Sequence, residues 1–177
     1  MAWTQTKTGK LFSLKYPNSD AVDIEDIAHS LSQICRFGGH TREFYSVAQH
    51  SVECAIRADV GFQLEALLHD AHEAYLGDIC TPLKDMIGSG IRRVDNALAT
   101  AVRDHFGLPN NLSANVHHVD QRMLVTEASQ LMGDPQWAQN MPYEKFDFTL
   151  NPWAPTVAKT IFLDTYKEYS IIRGAVC

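Results

Sequence analysis

The sequence lacks a CxxC pair, any window of about 18 apolar residues, and any surplus of basic charge. Its 4 cysteines, Cys35, Cys54, Cys80 and Cys177, follow no spacing of a small disulfide framework and are read as reduced thiols. The absence of a long apolar window excludes a membrane partner from the reading. The N-terminal stretch MAWTQTKTGKLFSLKYP also lacks the continuous apolar segment of a signal peptide, so a cytoplasmic protein is expected. With 15 Lys and Arg against 21 Asp and Glu, the net charge of -6 argues against a nucleic-acid partner. Only 10 Gly and 7 Pro, with 45% hydrophobic and 20% charged residues, exclude the fibrous and disordered classes. There is no internal repeat and no low-complexity tract. A chain of 177 residues is expected to form a single domain, 1–177, with a sizeable core.

What is present is mostly helical periodicity. The segment WTQTKTGKLFSLKYP alternates modestly and turns at Thr8-Gly9, which predicts a short β-hairpin. Asp23 is a helix N-cap ahead of Ile24, Ile27, Ala28, Leu31, Ile34 and Cys35, an amphipathic stripe ending near Gly38-Gly39. Similar spacing recurs over 46–59, 62–76 and 90–106, the last closed by Gly107 and Pro109. A further helix runs from Ser113 to Met132. Residues 134–153 read as an irregular connection before a terminal helix opened by Pro155 and running to about Ile172. The predicted fold class is all-α, a helical bundle with a small N-terminal hairpin.

The stretch LLHDAHEAYLGD, Leu67 to Asp78, sets ionisable side chains directly after a buried-looking run. On a continuous helix His69, Asp70 and Glu73 share one polar edge. Buried Asp and His are costly unless something pairs with both, and a divalent cation does so. One helix rarely fills a coordination sphere, so further ligands are sought on neighbouring helices. His50 in SVAQHSVEC and Asp120 in NVHHVDQRML interrupt otherwise packable helices. With His69 and Asp70 they form an N2O2 set suited to Mn, Fe, Co or Zn, with Mg as a second ion. Taken singly, His50 reads as a core histidine and Asp120 as a surface charge beside Arg122. His72 and His118 fall off the proposed edge, His105 reads as a helix C-terminal cap, and Trp3, Trp137 and Trp153 read as packing residues.

The order His50, His69-Asp70, Asp120 resembles the H...HD...D pattern of the HD-domain metal-dependent phosphohydrolases. The blocks ICRFGGHTREFYSVAQHS and HDAHEAYLGDICTPLK are similar to the small-nucleotide branch of that family, over roughly residues 20 to 130. This branch includes phage dATP triphosphohydrolases and bacterial 5'-deoxynucleotidases. The resemblance implies an HD-domain helical bundle in which His50, His69, Asp70 and Asp120 hold the metal. It implies Glu73 as the catalytic or water-orienting acid and Asp78 as a second acid. Arg36 and Lys84 would contact phosphate, His117 would add a phosphate contact, and Phe37 would stack on the base or sugar. The implied reaction is hydrolysis of a deoxynucleotide by metal-activated water, with deoxynucleoside triphosphates ahead of monophosphates and dATP one candidate. A homo-oligomer is the expected assembly.

Two other classes compete with this expectation. A nucleotide-binding regulatory module could keep the fold without turnover, although a complete ligand set and Glu73 argue against it. A cysteine hydrolase using Cys35 or Cys80 would need a local nucleophile motif, which the sequence does not supply.

Overall fold

Thr8 and Gly9 turn the chain back on itself at the start of the computed structural model, which describes residues 2–176. Cys177 lies outside the described residues. Strand β1 (Trp3–Gln5) pairs antiparallel with β2 (Leu11–Ser13), placing Thr4 opposite Phe12. Gly9 sits at φ +87°, a conformation open to glycine at little cost, and this closes the turn. The hairpin is clamped to the first helix. Asp26 accepts hydrogen bonds from the Thr8 backbone N–H and hydroxyl, each at 2.7 Å, and Lys10 Nζ meets Asp23 at 2.9 Å.

The rest is an all-α bundle, as the periodicity predicts. Helix α1 (Ile24–Gln33) starts where Asp23 accepts from Glu25 N–H, and it ends at Ile34, which turns extended ahead of the predicted Gly38-Gly39 stop. Helix α2 (Val47–Arg57) follows, capped by Ser46. Its residues from Val47 to Ala55 are all buried, because α1, a short α3 (Gln63–Leu68), α7 (Ala114–Leu131) and α9 (Pro155–Val176) surround it. Polar groups on such a helix need internal partners. Gln49 finds them in the Asn151 carbonyl and the Trp153 N–H, and so fastens the 134–153 segment to the core.

The predicted helix over 62–76 breaks. It gives α3, then a turn through His69–His72, then α4 (Glu73–Leu76). In the turn the N–H groups of Ala71, Glu73, Ala74 and Tyr75 reach back three residues rather than four, so the chain tightens and re-aims its side chains. A separate α5 (Thr81–Ile87) begins at the TP pair, and α6 (Ser89–Phe106) ends on Gly107 at φ +61°. Ser113 caps α7 through its hydroxyl. Its own N–H donates to Glu65 Oε1 on α3 at 2.6 Å, which docks this end of α7 against α3. The irregular 134–153 region holds one short helix, α8 (Gln136–Gln139).

Tertiary contacts extend some local expectations and overturn others. His105 lies in the last turn of α6, as expected, and its Nδ1 also donates to the Ser19 carbonyl at 2.8 Å, tying α6 to the 3-10 turn at Ser19–Ala21. Trp153 packs against the core, whereas Trp3 and Trp137 are exposed. Among the described residues no helix is long and apolar enough to cross a membrane.

Candidate metal centre

The break after Leu68 brings separate parts of the chain to one point. Buried α2 supplies His50, the turn supplies His69 and Asp70, and α7 supplies Asp120. The two imidazole Nε2 atoms stand 3.3 Å apart. Asp120 Oδ1 lies 3.2 Å from His50 Nε2 and 3.7 Å from His69 Nε2. Asp70 Oδ2 lies 3.2 Å from His69 Nε2 and 3.6 Å from His50 Nε2. Ligands bound to one tetrahedral ion at 2.0–2.1 Å are separated by about 3.3 Å, so these gaps match the edges of a coordination shell.

The hydrogen-bond partners of the two rings strengthen that fit. His50 Nδ1 donates to Glu127 Oε1 at 2.6 Å, and His69 Nδ1 donates to the Ala66 carbonyl at 2.7 Å. Both partners only accept, so each Nδ1 carries a hydrogen and each ring turns its Nε2 toward the other. Two Nε2 atoms at this range are compatible only with positive charge at that point, whether a proton or a metal cation. The titration directions agree. Burial works against a charged His50 or His69, and Arg36 adds to it at His50, yet Cys54, Glu127 and Asp120 at His50 and Asp70 and Asp120 at His69 outweigh it and lift both well above the ordinary histidine range. For Asp70 and Asp120 burial works in the opposite direction, but contact with the histidines holds both carboxyls low. The pocket favours positive charge at this point.

Cys54 joins this cluster: its sulfur and the ligating atoms of His50, His69 and Asp120 all lie within 4.8 Å of one another. A buried His/Cys/His/Asp group of this kind can hold a metal ion. The sulfur is 3.6 Å from His50 Nε2 and 3.9 Å from Nδ1. Near-equal distances place it off the axis of the Nε2 lone pair. Asp70 Oδ2 stands beside the same two Nε2 atoms, at 3.2 Å from His69 and 3.6 Å from His50.

Around the cluster the environment divides the acids. Burial raises the carboxyl of Glu73, and the charges of Asp70 and Asp78 raise it further. Its Oε2 is buried with no hydrogen-bond partner. Asp78 is half-buried and is also raised by burial, with Arg36 opposing the shift. Arg36 is 8% exposed, and its Nε donates to Glu127 Oε2 at 3.0 Å. Its NH1 stands 3.6 Å from Asp70 Oδ2. Beside it, Phe37 takes φ +54°, the one non-glycine positive φ among the described residues, with its ring 5.5 Å from the Arg36 guanidinium carbon. Such backbone strain persists where surrounding structure imposes it, often at binding sites.

The remaining sequence candidates separate. Lys84 pairs with Asp95 at 3.0 Å, and Asp95 also faces His72 Nε2 at 3.3 Å. Lys84 thus has an internal partner, though its charge still acts on Glu73 and Asp70. His72 is off the cluster, as its spacing predicts, but it is buried and joined to α6. His117 is exposed and makes no polar contact with the cluster. Arg122 leaves Asp120 alone, donating to the Glu144 carbonyl and lying over Phe146. Two cavities, of about 410 and 460 Å³, lie away from these residues. The cluster opens instead through Asp70 and Asp120, whose side chains keep 18% and 22% exposure.

Glu127 escaped the sequence reading although it is fully buried. Tyr45 and Asp95, which complete the polar network, escaped it as well. One local signal was available for Glu127. It stands seven residues after Asp120, two helical turns on the same face of α7.

No family model matches the chain. It is 38% identical over 177 residues to the uncharacterized protein YfdR of Escherichia coli K12, with 98% of each chain covered. An uncharacterized protein of Rhodobacter capsulatus is 39% identical over 145 residues, covering 75% of this chain and 74% of the relative.

Proposed function

The chain belongs to the family of YfdR, and we propose that it is a metal-dependent phosphohydrolase of the HD-domain kind acting on 2'-deoxynucleoside phosphates, with triphosphates as the leading substrates. The observation that carries this reading is the convergence of His50 and His69 Nε2 atoms, 3.3 Å apart, with Asp70 and Asp120 at their sides. These four residues would hold a divalent cation, with Mn, Fe, Co or Zn favoured by the mixed nitrogen and oxygen donors. When bound, such an ion acidifies water and draws charge from a phosphoryl oxygen.

The chain's own groups supply the rest. Hydrolysis at the α-phosphorus forms a bond from water oxygen to phosphorus, the water giving up a proton to solvent, and breaks the bond to the 5'-oxygen, which must receive one. Glu73 is suited to hand it over, because burial and the neighbouring acids shift its carboxyl toward the protonated form and its Oε2 has no hydrogen-bond partner in the protein. Asp70 and Asp120 are held ionised beside it, so neighbouring carboxyls divide into donor and ligand roles. Asp78, less buried, is placed to orient water. Arg36 gives its Nε to Glu127 and holds a terminal nitrogen 3.6 Å from Asp70, so its guanidinium faces the cluster, where it would meet phosphate oxygens. Phe37, next in the chain, offers a ring for the sugar or base. Lys84 contributes positive field from its pair with Asp95. A cytoplasmic setting, with Cys35, Cys54 and Cys80 as free thiols, belongs to the same reading.

The test is a panel of dNTPs, NTPs and dNMPs incubated with Mn, Co, Fe or Zn, with products separated by chromatography. Deoxynucleoside plus triphosphate is the expected outcome. Phosphate released from dNMPs alone would reassign the protein as a 5'-deoxynucleotidase. No turnover of any nucleotide with any of these metals would overturn the hydrolase reading.

A further inference from the structure

Glu127 is the most heavily engaged buried carboxylate around the cluster, and its two oxygens have different partners. Oε1 accepts from His50 Nδ1 at 2.6 Å and from the Tyr45 hydroxyl at 2.9 Å, while Oε2 accepts from Arg36 Nε at 3.0 Å. The side chain is completely enclosed, so water cannot substitute for any of these donors. One residue therefore fixes the hydrogen on His50 Nδ1, which frees Nε2 for the cluster, and also fixes the plane of the Arg36 fork. Arg36 is further pinned through its backbone N–H, which donates to the Tyr45 carbonyl at 2.9 Å. Tyr45 thus holds the arginine backbone and the carboxylate that holds its side chain.

Resting on the phosphohydrolase reading, we infer that Glu127 is a positioning residue that couples the metal site to the phosphate site, setting the tautomer of His50 with one oxygen and the aim of Arg36 with the other. It touches neither the ligand nor the reacting atoms. It lies two helical turns beyond Asp120 on α7, so one rigid helix carries a proposed metal ligand and the carboxylate that orients another. A carboxylate behind a ligating histidine fixes the ring and raises its basicity. This one also holds an arginine, so metal binding and anion binding share a support.

Glu127→Gln separates this role from simple packing. If the amide oxygen faces His50, the amide NH₂ meets the Arg36 N–H and two donors oppose each other. If the amide is reversed, NH₂ meets His50 Nδ1 and drives the hydrogen onto Nε2, the atom turned toward the cluster. Either orientation breaks one of the two alignments. The measurements are Co(II) affinity of the metal-free protein from its visible absorption, affinity of the Co-loaded protein for inorganic triphosphate, and the thermal midpoint of the metal-free form. Glu127→Gln is expected to weaken at least one of the two affinities by about 10- to 100-fold, the usual cost of losing such a support. Tyr45→Phe keeps both key bonds and removes only a supporting hydrogen bond to the carboxylate, so either affinity should change by less than in Glu127→Gln. A purely structural role would lower the thermal midpoint and leave both affinities of the folded protein unchanged, overturning the inference. Equal losses in Glu127→Gln and Tyr45→Phe would overturn it too. A wild-type protein that binds no Co(II) would remove the metal reading beneath it, whereas a wild type that binds Co(II) and triphosphate, with both affinities left intact in Glu127→Gln, would sink the coupling role alone.

Discussion

Replacing Arg36 with Met keeps an unbranched apolar chain in place and removes only the guanidinium. The loss falls on a contact with little access to water: Arg36 Nε and Glu127 Oε2 are 3.0 Å apart, with side-chain exposures of 10% and 0%. Removing one member of a buried ion pair leaves the other charge uncompensated and costs about 3–5 kcal/mol. For a chain of this size each kcal/mol moves the thermal midpoint by about 2–4 °C, giving an expected fall of about 6–20 °C. The low end is favoured because Tyr45 and His50 still donate to Glu127. The loss should also depend on pH. Arg36 holds down the pKa of His50, second only to burial, so its removal lifts an already raised histidine further. A histidine raised on folding contributes stability that is complete below its unfolded value, about 6.5, and is lost as pH rises through its folded value. The compensation is therefore full in mild acid and fades in alkali, so the penalty deepens as pH rises. Unfolding of chelator-treated wild type and Arg36→Met, compared at pH 6 and pH 9, measures both effects. A variant within about 1 kcal/mol of wild type at both values, well under the cost of an orphaned buried charge, would refute the view that Glu127 depends on this arginine.

Glu73→Gln should lower turnover by about 100- to 10,000-fold, as expected for loss of a general acid or base, without lowering the thermal midpoint. The reason is that Glu73 Oε2 has no partner and its pKa lies well above 4.5, so the wild-type carboxyl costs folding stability increasingly as pH rises from 4.5 through its folded value. A variant that is clearly less stable than wild type at pH 8 would contradict this account. Asp26→Ala removes both acceptors of Thr8, so denaturant unfolding should show a loss of about 1.5–3 kcal/mol, the worth of a hydrogen bond to a charged group. Since Asp26 anchors the hairpin and not the cluster, metal affinity should stay at the wild-type value; a parallel loss of Co(II) binding would show that the hairpin supports the site.

Local chemistry made much of the architecture legible. Asp23 and Ser113 accept from N–H groups of their own helices, and Gly107 takes the left-handed turn that ends α6, so each boundary is decided within a few residues. The break after Leu68 was hidden because LLHDAHEAYL keeps a helical pattern throughout. What ends α3 is tertiary: the His69 ring lies against the Ala66 carbonyl and its far nitrogen faces groups from α2 and α7. The helical reading gathered His69, Asp70 and Glu73 on one edge, but the tightened turn gives them different surroundings, with Asp70 against the histidines and the Glu73 Oε2 buried without a partner.

Glu127 marks where local inference stops. Its three donors lie 91, 82 and 77 residues away in sequence, and within VTEASQ it reads as an ordinary polar helix position. A carboxylate is tolerated in a fully enclosed place only when charge or hydrogen bonds compensate it, so its burial implies that Arg36, Tyr45 and His50 arrive together as the fold closes. The same requirement acts in the opposite direction. Arg36 is itself enclosed and needs an acid, and His50 needs an acceptor at Nδ1 if its Nε2 is to face the cluster. Each group removes a cost that the others would otherwise incur, so the carboxylate that stabilises the interior also prepares the site.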